Sequence, residues 1–329
     1  MVDSTDKVIL SALFLHAIDL VSEIIGFTAD VFLDMYKDVS ISDDYLARQA
    51  TDAVSHCAGL LNVDDEEYSL VNLLNFMVTN APHINGMRFV SVAIILAYKH
   101  HKVFDLAKSL MENFALALLT RSSTIHKDIS EPVVVGSLVR GREQDHCAIT
   151  KYFDDEKVFS VPRARRKSDM TSYLSVEYFI PIPPSNMSTH WQLEFAYNVL
   201  WAWSGLTEED WDKNIYSEEN ALLVASEHRG DHRYMMAYFE PKEGIPNAYT
   251  ARKIRGFDFF TGDASFEVVF DSWSPIIIPP DPRFVKVHRA LVQLVDSSGA
   301  IDTLLARKRK LAKIEEVIDD IEPKEQGLI

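Results

Sequence analysis

The deciding stretch reads Asn220-Ala-Leu-Leu-Val-Ala-Ser-Glu-His228-Arg-Gly-Asp-His232-Arg-Tyr-Met-Met-Ala-Tyr-Phe-Glu-Pro241. It joins a short apolar run to a polar segment that we predict to be a helix, with an asparagine eight residues before the first histidine. A helix brings His228 and His232, which are four residues apart, onto one face, where both imidazoles can bind the same cation. The same spacing is also typical of solvated or capping histidines.

Three other segments accompany this stretch. Upstream lies an arginine-rich segment that leads into Cys147-Ala-Ile-Thr150-Lys-Tyr-Phe-Asp154, followed by Glu177-Tyr-Phe-Ile-Pro181. Downstream, the stretch from His288 to Ser-Ser-Gly299-Ala300 lies within Arg283–Val317, which we predict to be helical. The segments matter because of their order along the chain, since none of them is specific by itself.

In this order the segments resemble the HNH endonuclease domain proteins that are common in fungal genomes. That family shows an arginine-rich Cys-x-x-Thr-Gly turn, an Ala-His-Ile-x-Pro strand, a tryptophan-containing helix, an Asn-Ala-Leu turn, and a helix with a histidine before Phe-Glu-Pro. The counterparts here are Cys147–Asp154, Glu177–Pro181, Phe195–Gly205, Asn220–Leu223 and His228–Pro241. The resemblance covers about residues 130–305.

The resemblance implies hydrolysis of a DNA phosphodiester on a ββα-metal scaffold, with one divalent cation (Mg²⁺, Mn²⁺ or Zn²⁺) that stabilises the developing charge. It implies catalytic roles for Tyr178, Asn220 and His228. It implies metal ligation by Asn220 and His228, with Glu177 and either His232 or Asp231 as further ligands.

The sequence departs from the family pattern at two places. The position of the general-base histidine is held by Tyr178, and the Thr-Gly of the turn reads Thr150-Lys151. Tyrosine has an ordinary pKa near 10, and loss of a general base removes a contribution of about 10²–10⁴-fold. Two hypotheses stay open: an impaired nuclease, with His190 or His146 replacing the base, or a catalytically silent protein that binds a partner. A third hypothesis, a fold unrelated to this family, would be supported if the segments around Glu177 and His228 lay far apart in space.

Basic residues are concentrated in two short runs. Arg163, Arg165, Arg166 and Lys167 lie on a predicted loop, where they either contact nucleic-acid phosphates or form a solvated connector. Arg307–Lys310 is either a nuclear import signal or phosphate patch, or the solvated face of a helix.

Composition limits the function classes. The chain has 329 residues and a net charge of −16, so it repels polyanions overall, and any contact with DNA depends on local patches. Two cysteines provide neither a disulfide framework nor a four-cysteine zinc site. No apolar stretch approaches the roughly 20 residues that span a bilayer. We therefore expect an intracellular protein, cytoplasmic or nuclear, with DNA or a protein as its partner and without membrane contact.

The hydrophobic pattern changes near residue 130. Before it, apolar residues follow helical spacing, and Ser42 is a predicted helix start. After it, β-branched or aromatic runs predict short strands at Val133–Val135, Lys157–Val161, Tyr178–Ile182 and Phe266–Phe270. The prediction is an α+β protein with an α-helical domain at 1–128, an HNH-like ββα-metal domain at 129–274 and a C-terminal helical extension at 275–329. The helical domain is the predicted surface for a protein partner.

Overall fold

Helices alone make up the described N-terminal part of the chain. The computed structural model describes residues 11–61, 68–124, 133–160, 170–183, 190–233, 235–254, 265–270 and 278–306. Its first eight helices are α1 (Ala12–Ile25), α2 (Ala29–Lys37), α3 (Asp43–His56), α4 (Ala58–Leu61), α5 (Leu70–Thr79), α6 (Ile84–Lys99), α7 (Val103–Leu110) and α8 (Leu116–Thr124). A π-helical turn, Met111–Ala115, joins α7 to α8.

Local chemistry explains where these helices begin and end. The Ser11 hydroxyl accepts a hydrogen bond from the Phe14 backbone N–H at 3.3 Å, and Ser42 caps α3 in the same way through Tyr45. Gly26 ends α1 with a φ of 76°, a left-handed conformation that glycine adopts without steric cost. The predicted helical pattern and the predicted Ser42 start are both confirmed.

The second part mixes helices with short strands. Its helices are α9 (Val133–Glu143), α10 (Trp191–Ser204), α11 (Ser226–Arg233) and α12 (Pro282–Ser297). Its strands are β1 (Phe153–Asp154), β2 (Thr171–Ser172), β3 (Leu174–Tyr178), β4 (Ala221–Ala225), β5 (Ala237–Pro241), β6 (Ala248–Lys253) and β7 (Ser265–Val269). Within the described ranges, they form a parallel β1–β2 pair, an antiparallel β3–β4 pair and an antiparallel β5–β6–β7 sheet. The chain is an α+β protein.

Of the four strand predictions, two are wrong, one is confirmed in part and one is confirmed. Val133–Val135 opens α9, because packing against β4 overrides the β preference of valine. Lys157 ends the 3₁₀ turn Asp155–Lys157, which Asp154 caps through the Glu156 N–H, and no strand forms over residues 157–160; Val161 lies outside the described residues. In the Tyr178–Ile182 segment only Tyr178 lies in a strand, whereas Phe266–Phe270 corresponds to β7.

One continuous hydrophobic core joins the two parts. Helix α10 packs on α1 and α6, and α12 packs on α5. The Trp203 indole N–H donates to the Met77 carbonyl at 3.0 Å, and the Ser69 N–H donates to the Ser298 carbonyl at 2.7 Å. The predicted core positions of Trp201, Trp203 and Trp211 are confirmed by exposed fractions of 7%, 0% and 7%. The predicted domain boundaries stay a prediction.

No single helix among the described residues is long and apolar enough to cross a bilayer, and only α1 and α2 together, bent by 118°, reach the required length and composition.

Candidate functional site

The candidate site is built on the β3–β4 pair and on α11, which follows β4 directly. Glu177 lies opposite Leu222 in the antiparallel register, and Tyr178 lies opposite Ala221. Helix α11 packs on both strands. The segments around Glu177 and His228 therefore meet in space, and the large separation that would support an unrelated fold is not found.

Glu177 is a buried carboxylate that is neutralised within the protein. Its exposed fraction is 2%, its Oε1 accepts a hydrogen bond from the Ser175 hydroxyl at 3.0 Å, and the Arg229 Nε lies 3.1 Å from the same oxygen. Arg229 forms an ion pair there without hydrogen-bond geometry at Nε. A buried carboxylate requires such a partner, because loss of its hydration costs several kcal/mol, on the order of the Coulombic gain of pairing. Arg229 was not predicted from the sequence.

Tyr178 follows Glu177 in the same strand, so the two side chains point to opposite faces of the β3–β4 pair. Tyr178 is half-buried and packs against the hydrophobic core. The structure therefore does not bring the predicted base and the predicted acidic ligand together on one face.

Asn220 is the most constrained of the predicted site residues. It ends a 3₁₀ turn, Glu218–Asn220, immediately before β4, so the predicted Asn-Ala-Leu turn is wrong beyond Asn220 itself. Its side chain is fully buried. The amide Nδ2 donates to the carbonyls of Ile180 and Ile215, each at 2.9 Å, and Oδ1 accepts from the Ile180 N–H at 2.9 Å. These bonds hold the chain that leaves β3 against the chain that enters β4.

His228 and His232 both lie on α11 and are 4% and 3% exposed. The His232 ring stacks on the His288 ring, with centroids 4.6 Å apart and planes at 17°. Phe179 contacts both rings, at 6.0 Å from His232 and 5.8 Å from His288. His232 is thus a member of an aromatic cluster.

His288 on α12 is a central residue of this site that the sequence indicated only as part of a closing helix. Its Nδ1 lies 2.8 Å from the Phe179 carbonyl oxygen, and its Nε2 lies 3.0 Å from the Ala237 carbonyl oxygen. Burial lowers the pKa of His288 below its ordinary value, and the two carbonyl contacts oppose that effect. The imidazole joins the end of β3 to the start of β5.

The lowered pKa of His288 predicts a loss of stability in mild acid. Below the ordinary value of 6.5, the unfolded chain binds a proton at this residue that the folded chain does not bind. The free energy of unfolding then falls as the pH falls, by up to about 1.4 kcal/mol per pH unit. Urea denaturation from neutral to mildly acidic pH measures this slope, with His288→Gln as the reference. If the stability of the wild type instead rose relative to His288→Gln as the pH falls, the folded state would hold a His288 imidazolium that donates to both carbonyls.

The Cys147 turn packs beside β4. The Cys147 Sγ accepts hydrogen bonds from the backbone N–H groups of Thr150 at 3.4 Å and Ala225 at 3.3 Å, and the thiol is fully buried. Lys151 has a φ of 62°, the left-handed conformation that favours glycine. Lysine thus stands with glycine-like backbone geometry at the position of the family's Thr-Gly.

Two arginines before this turn are structural. Arg140 pairs with the buried Asp154 and donates to the Leu174 carbonyl at 3.1 Å. Arg142 is fully buried and donates to the carbonyls of Glu218, at 2.8 Å, and Ala221. Both side chains tie α9 to the strands of the candidate site. A buried arginine of this kind carries no sequence signal, because arginines are ordinarily exposed.

The described residues do not fit a resident divalent cation. They contain no group of three or more His, Cys, Asp or Glu side chains arranged to hold a metal ion. Of the predicted ligands, Glu177 is paired with Arg229 and the Asn220 amide is hydrogen bonded to backbone groups. We therefore derive no step through a metal.

Of the predicted alternatives for the base, His146 is buried against Phe153, and His190 immediately precedes α10. The predicted phosphate contacts Arg163, Arg165, Arg166 and Lys167 lie outside the described residues, as does Arg307–Lys310.

Comparisons with known proteins provide no relative. No family model matches the chain. No curated protein and no solved structure matches it. The likeness to the HNH family therefore depends on the sequence segments, and what it implies is a hypothesis for experiment.

Proposed function

We propose that this chain is an HNH-endonuclease-like protein that has lost hydrolysis and acts by binding a partner protein. One observation carries the proposal: the buried Asn220 side chain uses its amide to bind the backbone of Ile180 and Ile215, which leaves it no role at a reacting phosphate. The family would use this side chain to orient the reacting groups or to bind the metal. Here it joins two segments of the backbone.

Three further observations support the HNH-like architecture. Two antiparallel strands, β3 and β4, are followed by a helix that packs on them, which is the ββα order. The Cys147 turn lies beside β4 through its bond to Ala225, and Lys151 has the backbone conformation of a glycine. The resemblance implies the ββα order, and the glycine of the family's Thr-Gly corresponds to the backbone conformation of Lys151.

Charge and chemistry support the loss of hydrolysis. Tyr178 stands at the base position, on the face opposite Glu177, and the Glu177 carboxylate is compensated by Arg229. The net charge of −16 disfavours a polyanionic partner and is compatible with a protein partner. The second candidate function, a weak metal-dependent DNA endonuclease, is favoured only by the ββα order.

Calorimetric titration of Mg²⁺, Mn²⁺ and Zn²⁺ into the purified protein tests the proposal, together with plasmid nicking in the same buffers. We expect no stoichiometric binding that depends on His228, and no nicking above background. The comparison uses His228→Ala and, as a matched control, His56→Ala on the exposed surface of α3. Stoichiometric binding that only His228→Ala removes, together with nicking, would establish the second candidate instead.

A Tyr178→His variant tests whether loss of the general base alone explains the loss of hydrolysis. If loss of the base were the only defect, restoring histidine would return up to about 10²–10⁴-fold of nicking activity. We expect no recovery, because the Asn220 side chain stays hydrogen bonded to the backbone and Glu177 stays paired with Arg229. Recovery in Mg²⁺ or Mn²⁺ would show that the remaining machinery is intact.

A further inference from the structure

A groove of about 370 Å³ lies between the end of α5, the start of α6 and the first turns of α12. Its volume is within the range of about 300–1,000 Å³ that is typical of small-molecule sites. Three of its lining residues are polar, namely Thr79, His83 and Lys286. The others are apolar, namely Val78, Ala81, Pro82, Ile84 and Met87. The groove therefore has room and apolar contact for a small organic ligand, and its polar side chains decide which kind.

Lys286 brings a positive charge to this groove. Its side chain is exposed on α12, and it forms neither an ion pair nor a hydrogen bond among the described residues. None of the described residues that line the groove is acidic. In a protein with a net charge of −16, Lys286 is therefore a local point of opposite sign, and an anionic group that enters the groove meets no neighbouring carboxylate in its lining.

His83 brings a hydrogen-bond donor to the same groove. Its Nδ1 accepts a hydrogen bond from the Asn85 backbone N–H at 3.1 Å, so the neutral imidazole carries its proton on Nε2. Partial burial lowers the pKa of His83, and the Lys286 ammonium group lowers it further, so the neutral form is present at pH 7. The Nε2–H forms no hydrogen bond with the described residues.

The His83 imidazole is held in position by its neighbours. A Cβ added at Gly205, where α10 ends, would lie 2.4 Å from the His83 Cβ and 2.7 Å from its Nδ1, so the end of α10 lies against this side chain. The hydrogen bond from Asn85 fixes the orientation of the ring. A donor that is already oriented loses little conformational entropy when it binds a ligand.

The other polar groups of the groove give no preference for either sign of charge. The Thr79 hydroxyl already has partners, because it donates to the Asn75 carbonyl and accepts from the Asn80 side-chain amide, each at 2.8 Å. Helix α5 ends at Thr79 and α6 begins at Ile84, so a partial negative and a partial positive helix end both border the groove and offset each other. The two side chains described above therefore decide the preference, and both are donors.

We propose that this groove binds a small organic acid, a carboxylate group on an apolar body. The two carboxylate oxygens accept from the Lys286 ammonium group and from the His83 Nε2–H, while the body packs against Ile84 and Met87. A hydrogen bond to an ionised partner is stronger than one between neutral groups, so the charge adds to the affinity. This site is independent of the proposed function, because it shares no residue with β3, β4 or α11.

Calorimetry on the full chain at pH 7 and low salt tests the preference with three matched probes. The probes are phenylacetate, the uncharged phenylacetamide, which has the same shape, and acetate, which lacks the apolar body. We expect phenylacetate to bind about three- to fivefold more tightly than the amide, because the charged group pairs with an exposed ammonium group, and also more tightly than acetate. Equal or tighter binding of the amide, equal binding of acetate, or no binding of phenylacetate would overturn the proposal.

Two mild substitutions locate the binding in the groove. Lys286→Gln removes the charge, and His83→Ser removes the imidazole donor but keeps a side-chain oxygen that can cap α6. Each is expected to weaken phenylacetate binding about three- to fivefold. The matched control is Lys99→Gln, which makes the same change in net charge at the exposed far end of α6. Thermal unfolding of the three variants verifies that they fold.

The assignment is contradicted by either of two results. Undiminished phenylacetate binding in Lys286→Gln would place the probe elsewhere on the protein. Equal losses in Lys286→Gln and Lys99→Gln would show that binding follows the net charge of the chain and does not depend on the groove.

Discussion

Replacing Asn220 by alanine is expected to lower the free energy of unfolding by roughly 3–6 kcal/mol. The substitution leaves three buried backbone groups without partners, namely the N–H and carbonyl of Ile180 and the carbonyl of Ile215. Each costs about 1–3 kcal/mol when it is buried without a hydrogen bond. Urea denaturation, followed by circular dichroism, measures the difference directly.

The control for this substitution is Asn72→Ala. Asn72 is exposed and donates one hydrogen bond, at 3.1 Å, to the Ser297 carbonyl, so its loss is expected to cost about 1 kcal/mol or less. Asn220→Asp is a second comparison, because it keeps the acceptor oxygen for Ile180 and loses both donated bonds. If Asn220→Ala were as stable as the wild type but altered cation binding, the residue would be a ligand and the structural role would be wrong.

Replacing Gly86 by alanine is the other substitution with a large expected effect. A Cβ at Gly86 in α6 would lie 1.8 Å from the carbonyl oxygen of Trp203 and 2.6 Å from its carbonyl carbon, both backbone atoms of α10. No rotamer relieves a contact with backbone, so the two helices must separate. We expect the free energy of unfolding to fall by about 3 kcal/mol or more.

Gly59→Ala is the matched control for Gly86→Ala. Gly59 also lies in a helix, α4, but an added Cβ there meets no atom within 4 Å. Alanine is a better helix former than glycine by about 1 kcal/mol, so this variant is expected to be as stable as the wild type or slightly more stable. Equal stability of the two variants would show that α6 and α10 do not approach each other at Gly86.

The helical part was predictable because its signals are local. A repeat of 3.6 residues and caps such as Ser42 are contained in a short window of sequence. The strand prediction at Val133–Val135 was wrong because a helix accepts β-branched residues when packing supplies enough stabilisation. That contribution depends on β4, a segment far along the chain, and no local pattern reports it.

The candidate site was predictable in its members but not in its contacts. Asn220 stood out from the sequence, yet its partner Ile180 lies forty residues away, and its side-chain role depends on how β3 meets β4. Arg229 was overlooked between two more conspicuous histidines, although it compensates Glu177. The residue types in the sequence indicate where polar side chains are concentrated. Only the folded structure shows that these side chains pair with one another or with the backbone.

The continuous core also has a consequence for synthesis on the ribosome. Trp203, which lies against Gly86, bonds to Met77 across 126 residues, and Asn72 bonds to Ser297 across 225 residues. At a translation rate of about 5–20 residues per second, the nascent α5 waits roughly 11–45 s for its partner in α12. During that interval the part of α5 that packs on α12 is exposed on the growing chain. The protein therefore completes its helical part only after α12 has been synthesised, and we expect the first helices to depend on chaperone protection until then.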